Sequence, residues 1–481
     1  MRFRSWCAVM GLAALVLTSA AWWRGAEYDE QYTLFLTAGT PRPDWPETVF
    51  SAGMVAAAQT GHASLADIAR DLRSTDVHPP LYFWAVVGWR AVFGPGLFAA
   101  RMLSVLFGLV SLGLTGMIAR RCGVRSATAM LLTLGCYGFV YTNAIARGFA
   151  PAEMLTLGGV ALLLRRRPLL AGLCLGAACC CNYLAVFVAA AVIVAAGAWL
   201  AVPAAVPFLA LDVWFFAAQH GARPGQFPPF AIWPSLLRLA KYQTASVFGG
   251  LPLYFDGVGR VVVEAIVGLV AVGMVVWLVR ARPWRGGVAI RLVVAGAVAP
   301  PIGLLLLGFV FDNTPIELRY FSFGLPFVAL LVAWASRPIA RGKRNALILP
   351  IVLAVQFAGI AGLLLSPRTM QPYRVAAAEA AALVGDGVVL LPRGNDGVGI
   401  VGAFGIEAPP ALPILLFRPT DSIAGRIRPY QRVVLALLPQ DRDSIATIAG
   451  LHTVLSAPDW RRVATEPDVE VYERTGTEKR R

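Results

Sequence analysis

Apolar runs close to the length of a membrane crossing follow one another through most of this chain. A helix rises 1.5 Å per residue, so about 20 apolar residues cross the roughly 30 Å hydrocarbon layer. Runs of this kind lie near residues 6–24, 98–119, 126–143, 149–164, 169–183, 184–201, 204–219, 259–280, 290–311, 318–336 and 345–365. Counted as crossings they make about eleven, with 164–205 the least sharply divided stretch. Of the 481 residues, 58% are hydrophobic and 14% charged, with a mean hydropathy of +0.66. A water-soluble globule carries roughly 25% charged residues, so that class is excluded.

The charge sets an orientation. The net charge is +15, but the basic residues gather as Arg2/Arg4, Arg120/Arg121/Arg125, Arg165/Arg166/Arg167, Arg280/Arg282/Arg285 and Arg337/Arg341/Lys343/Arg344. Each cluster lies in a short gap beside an apolar run, and none of the gaps holds an Asp or Glu. Lys and Arg are retained on the cytoplasmic side, so the N-terminus is expected inside. An odd number of crossings then places the C-terminus outside, at the periplasmic face of a bacterial inner membrane. A nucleic-acid surface would be continuous and interleaved with exposed aromatics, so nucleic acid is not an expected partner. The lipid bilayer is.

The seven cysteines show neither a disulfide framework nor CxxC spacing, and Cys179-Cys180-Cys181 reads as small apolar filler. Met1-Arg2-Phe3-Arg4 before the first run has signal-peptide character, but the runs downstream favour an uncleaved first crossing.

Two long outer loops follow. The first, about 25–97, carries Asp29 and Glu30, then His78-Pro79-Pro80, then an aromatic piece from Leu81 to Trp89 expected to lie in the interface. The second, about 220–258, is rich in Pro and aromatics and is expected to follow the membrane surface. Residues 1–366 are read as one transmembrane domain and 367–481 as a small extracytoplasmic α/β domain. In the latter, Val388–Pro392, Arg432–Leu438 and Val469–Tyr472 read as strands, and Arg393–Gly397 and Asp441–Ser444 open helices. The glycines from Gly394 to Gly402 lack dinucleotide or P-loop spacing.

Carboxylates at the lip of a bilayer are costly to keep partly dehydrated, which marks Asp29 and Glu30 as functional candidates. Their surroundings carry a resemblance. Tyr28-Asp29-Glu30-Gln31-Tyr32 follows one apolar run, then come His78-Pro79-Pro80-Leu81-Tyr82-Phe83 and Ala100-Arg101-Met102-Leu103-Ser104-Val105-Leu106-Phe107-Gly108. Ala146-Arg147-Gly148-Phe149, Arg167-Pro168-Leu169, Cys181-Asn182-Tyr183-Leu184 and Leu318-Arg319-Tyr320-Phe321 before Gly324-Leu325-Pro326 continue the order. Over about residues 5–365 the chain resembles the GT-C glycosyltransferases of the protein O-mannosyltransferase and aminoarabinose-transferase type. The resemblance implies a polytopic α-helical GT-C fold, an outward-facing site and a polyprenyl-phosphate-sugar donor. It also implies transfer with inversion to an envelope lipid, glycan or protein.

The residue chemistry fits that expectation. A sugar on a lipid phosphate is already activated, so the protein must deprotonate the acceptor and neutralise the departing phosphate. Asp29, matching the first acid of the family's pair, is the expected general base, with Glu30 as a positioning or secondary acid. Phosphate calls for the planar fork of Arg. Arg319, Arg147 and Arg101 at the outer ends of predicted crossings are the candidates, with Lys241 in the second loop. Glu317 and Glu153 are acids near enough in sequence to pair with Arg319 and Arg147 instead. His78, held extended before Pro79, is a candidate to bond acceptor or phosphate, and an architectural role is as open. Tyr183 and Tyr242 are candidates to stack on sugar, and Tyr82 and Tyr320 join them from within the resembling motifs. Asp212, inside a predicted crossing, is expected to line the donor cavity or pair with an Arg.

No metal or other cofactor is expected. His62, His78, His220 and His452 show no i,i+4 pairing, and the first loop has no Asp-x-Asp pair. A divalent metal of the kind some relatives use stays open. Two other classes compete: a transporter or flippase of a lipid-linked or anionic substrate, and a non-catalytic scaffold for the C-terminal domain. A transporter would show internal repeats and broken helices at the midplane, and no two halves of this sequence match.

Overall fold

The computed structural model describes residues 2–219, 227–337, 348–365 and 371–475. Arg341, Lys343 and Arg344 of the last basic cluster, His220 and the expected domain boundary at 366/367 lie outside them. The chain forms two compact units. One comprises Met1–Trp23, Leu72–Ala85 and Arg101–Pro367, the other Arg24–Asp71, Val86–Ala100 and Arg368–Arg481. Most of the first outer loop therefore belongs to the same unit as the C-terminal region.

In the first unit every predicted apolar run contains helix. Without water to bond the backbone, a helix is the economical way to satisfy each N–H and C=O. Among the described residues seven helices have crossing length and hydropathy on their own: Arg4–Trp23, Leu97–Arg121, Ala201–Gln219, Gly257–Arg285, Val288–Phe311, Leu318–Ala335 and Ile348–Leu365. The expected eleven therefore counts apolar helical segments. Phe149–Leu163, Pro168–Cys181 and Ala185–Ala196 are 15, 14 and 12 residues long, short of an upright crossing. The Gly257–Ala281 helix exposes Val258, Val261, Leu269 and Val272, a face suited to acyl chains.

Small residues bring helices close where helix–helix attraction rests on packing. A Cβ on Gly172 would lie 2.0 Å from the Ala201 carbonyl oxygen. Glycine alone lets the Pro168–Cys181 helix meet the start of Ala201–Gln219 there. The predicted crossing 126–143 is instead two helices, Ser126–Gly135 and Tyr137–Asn143, parted at Cys136 with φ −66° and ψ 119°. Gln356 of Ile348–Leu365 reaches the break, its Nε2 lying 3.4 Å from both the Leu132 carbonyl oxygen and the Cys136 Sγ. An amide side chain thus repairs what the broken ladder leaves open. The second outer loop is also more regular than expected. Ile232–Phe248 is a 17-residue helix, followed by a short 3-10 turn at Leu251–Tyr254.

The second unit is built on a six-stranded sheet: β1 (Phe50–Ser51), β2 (Val388–Pro392), β3 (Pro413–Phe417), β4 (Arg432–Ala436), β5 (Trp460–Thr465) and β6 (Val469–Arg474), in the order β1-β3-β2-β4-β6-β5. β2 runs parallel to both β3 and β4, and the remaining pairs are antiparallel. Period-two alternation divides the side chains between two cores. Val389, Leu391, Ile414, Leu416 and Val434 face the core that holds Phe35, Trp45, Tyr373 and Phe404. Val388, Leu390, Leu415, Phe417 and Val433 face Ile427, Leu451 and Leu455. The three predicted strands are present, and β1, β3 and β5 are additional.

Glu470 on β6 accepts from the Tyr472 hydroxyl at 2.6 Å and from Arg462 at 2.9 Å, and lies 2.8 Å from His452 Nε2. Burial alone would raise its carboxyl, but Tyr472, His452 and Arg462 outweigh it and hold it below the usual carboxylate range. A depressed carboxylate contributes stability above the unfolded-state value of about 4.3 and loses it as pH falls through the folded value. Hydrogen exchange of the β4–β6 amides is therefore expected to accelerate as pH drops through the acid range, once corrected for intrinsic rates. Glu470→Gln should flatten that dependence; an unchanged profile would count against it.

Candidate functional site

Each unit gathers one part of the predicted chemistry. In the second unit the acidic pair opens the Tyr28–Ala38 helix. Glu27 is its N-cap, with φ −109° and ψ 148°, and forms a reciprocal capping box with Glu30. The Glu30 Oε2 accepts from the Glu27 amide at 3.1 Å, and Arg24 pairs with Glu27. Arg24, Glu27 and Glu30 are all buried. Glu30 is thus held as a cap. Asp29, on the same first turn, is half-buried, and the positive end of the helix favours its charge.

The C-terminal region holds this helix. Tyr28 donates from its backbone amide to Gln371 Oε1 at 2.7 Å, and its hydroxyl lies 3.2 Å from Asn395 Oδ1. The Tyr32 hydroxyl donates to Asp396, and the Trp45 Nε1 donates to the Gly397 carbonyl at 2.6 Å. The Arg393–Gly397 loop at the carboxyl end of β2 therefore grips residues around the acidic pair. Behind it, the Gly399–Glu407 helix presents glycines at every third position. A Cβ on Gly402 would lie 2.8 Å from both Gln31 Oε1 and Phe35 Cε2. Gly402→Leu is expected to cost about 1–3 kcal/mol through overpacking. It should also speed proteolysis at residues 28–38, and a protected, fully stable variant would refute the packing role.

In the first unit, the turn at Asp76–His78 meets the turn at Ala146–Gly148. The Asp76 Oδ1 accepts from the Val77 amide at 2.8 Å and lies 3.1 Å from His78 Nδ1. Arg147 Nη2 lies 3.0 Å from His78 Nε2, and its Nη1 is 3.8 Å from Asp76 Oδ2. Arg147 and Asp76 are 3% and 2% exposed, so this is a buried ion pair with a ring alongside. Gly148 makes the turn possible, since a Cβ there would lie 2.2 Å from the Cys181 carbonyl oxygen. Gln219 closes the cluster. Its Nε2 donates to the His78 carbonyl at 2.9 Å and to the Leu72 carbonyl at 3.0 Å, and its Oε1 accepts from the Tyr183 hydroxyl at 2.8 Å.

A second group of cations adjoins it through packing. Phe149 lies 6.3 Å from the Tyr320 ring, and Leu184 packs with Tyr242 and Tyr320 around Leu304, Ile316 and Phe321. Arg319 lies over Tyr320 at 5.6 Å. Arg238 bonds Glu317 at 2.8 Å and lies 5.3 Å from the Tyr242 ring centroid. Burial raises the Glu317 carboxyl above its usual range, and Arg238 opposes the rise. Lys241 is exposed on the same helix as Arg238.

Some expectations are placed elsewhere. Arg101 is buried and donates to the Ala21 carbonyl at 2.9 Å, tying two helices together. Glu317 pairs with Arg238, and Glu153 is buried beside Asn143 and Ser111, while the acid found beside Arg147 is Asp76. Asp212 is buried beside the Cys180 thiol, with no Arg ion pair among the described residues. Tyr82 is buried against Phe83 and the Gly148 turn. Asp76, Gln219 and Arg238 were not singled out from the sequence. Among the described residues no group of three or more His, Cys, Asp or Glu is placed to hold a metal.

No protein-family model matches the sequence, and no curated protein does. The fold matches solved structures over nearly its whole length. ArnT from Cupriavidus metallidurans bound to undecaprenyl phosphate superposes with a TM-score of 0.53 at 12% identity, covering 98% of each chain. The same protein in the apo state gives 0.54 at 13% identity, again with 98% of each chain covered. The fold is of the GT-C type. At that identity the likeness speaks for the fold alone.

Proposed function

We propose that this chain is an inverting membrane glycosyltransferase that moves a sugar from a polyprenyl phosphate to an envelope acceptor. The observation that carries the reading is the whole-length likeness to a protein solved with undecaprenyl phosphate bound. The half-buried Asp29 on a capped helix and the cations of the other unit support it.

The step balances without a redox partner. The acceptor hydroxyl attacks the anomeric carbon, the carbon–oxygen bond to phosphate breaks on the opposite face, and polyprenyl phosphate leaves as an anion. Asp29 takes the hydroxyl proton. Arg147 and Arg319 supply charge to the leaving phosphate, as a fork does better than an ammonium. His78, beside Arg147, orients or bonds the phosphate. Tyr183, Tyr242 and Tyr320 supply ring faces for sugar. The outward-facing site and a periplasmic C-terminal region belong to the same proposal. The alternative, a flippase, moves the intact lipid-linked sugar.

Membranes holding the protein, supplied with a radiolabelled polyprenyl-phosphate-sugar pool, separate the two. Label passing from the lipid fraction into delipidated envelope material supports transfer. Label that stays on the lipid and changes leaflet overturns it.

A further inference from the structure

At the membrane end opposite to that expected for the chemistry, the last turn of the Leu97–Arg121 helix and the stretch from Ala161 to Arg165 border a half-open cavity of about 280 Å³. Arg120, Arg121 and Arg165 line it together with Met117, Ile118, Ala161 and Leu164. We infer that this cavity binds the phosphate headgroup of an anionic membrane lipid.

Three observations lead there. First, capping does not require the guanidinium groups. The Cys122, Gly123 and Val124 amides already bond the Ile118, Arg120 and Ala119 carbonyls, at 3.1, 3.2 and 2.9 Å. Beyond the other helix, the Arg165, Arg166 and Arg167 amides bond Leu162 and Leu163 carbonyls at 2.9–3.0 Å. Second, no carboxylate answers them. Neither sequence gap contains an acid, and among the described residues none of the three arginines forms an ion pair. Two helix C-termini contribute roughly half a negative charge each, which leaves about two positive charges for an anion. Third, the lining combines guanidinium and apolar groups. The forks of Arg120, Arg121 and Arg165 suit phosphate oxygens and stand at the helix ends, with Met117 and Leu164 beside them in the same lining. Basic pockets between membrane helices are where such headgroups bind.

The bland alternative is that these arginines only set orientation, which needs charge but no fork and no cavity. Native mass spectrometry of the full-length protein in detergent distinguishes the two. The probes are dioleoyl phosphatidylglycerol, dioleoyl phosphatidylcholine and inorganic phosphate. Wild type should retain phosphatidylglycerol, and the combined Arg120→Gln, Arg121→Gln, Arg165→Gln variant should bind it on the order of 100-fold more weakly. Phosphatidylcholine binding should not change. The corresponding triple Lys variant keeps the charge that governs insertion and should lose about fivefold. It decides the matter if the Gln variant fails to fold. Unchanged retention in the Lys variant, an equal loss for phosphatidylcholine, or displacement of the lipid by millimolar phosphate would each overturn the inference.

Discussion

Asp29→Asn is expected to lower the turnover of sugar transfer by about 10²–10⁴-fold, the range a positioned general base supplies. The substitution keeps shape and removes only basicity, so the capping box of Glu27 and Glu30 should survive it. Donor saturation should be unchanged, because the lost interaction belongs to the acceptor proton. Glu30→Ala should act differently. Glu30 is buried and bonds the Glu27 amide, so its loss weakens the helix start by about 1 kcal/mol and impairs turnover in proportion to misplacement. Steady-state rates over a donor series, with thermal unfolding in parallel, distinguish the two variants. Asp29→Asn with wild-type turnover would remove the base assignment.

Arg147→Ala should be the most damaging change in the membrane unit. It removes a cation 3.8 Å from the Asp76 carboxylate, which is 2% exposed. Breaking a buried pair from one side costs about 3–5 kcal/mol. The lower end applies, since His78 and the Val77 amide still reach Asp76. Arg147→Lys retains charge but cannot span both His78 and Asp76, so it should recover stability more than donor affinity. Double replacement with Asp76→Asn should restore part of the stability and none of the donor affinity. Thermal unfolding and donor KM, measured on the same preparations, report the two effects. Full activity with Asp76→Asn/Arg147→Ala would confine the pair to architecture.

How much was legible follows from how local each signal is. Val388–Pro392 and Val433–Ala436 are unbroken apolar runs, which is how a strand covered on both faces reads. β1 has two residues, Phe50 and Ser51, whose partners are Ile414 and Pro413, so no local pattern announces it. β5 carries Arg461 and Arg462 on an edge, where charge is tolerated and the apolar signal fades. β3 follows Pro409-Pro410 and reads as loop until its neighbours are known. The break at Cys136 was hidden because its compensation comes from Gln356, 220 positions away. In the site, Arg147 stood out as a cation at the end of an apolar run and His78 as the residue before Pro79-Pro80. Asp76, Gln219 and Arg238 did not, because their significance lies in partners: Gln219 bonds His78 across 141 positions, and Arg238 bonds Glu317 across 79. The Arg393–Gly397 loop, read as the opening of a helix, also holds Tyr28, Tyr32 and Trp45.

The most direct measurement is stoichiometric. Purified protein in a bilayer is given a polyprenyl-phosphate sugar and an envelope acceptor, and both products are followed by mass spectrometry and by the anomeric signal. One polyprenyl phosphate should be released for each acceptor glycosylated, with the anomeric configuration inverted. Intact lipid-linked sugar after prolonged incubation, or retained configuration in the product, would contradict the account.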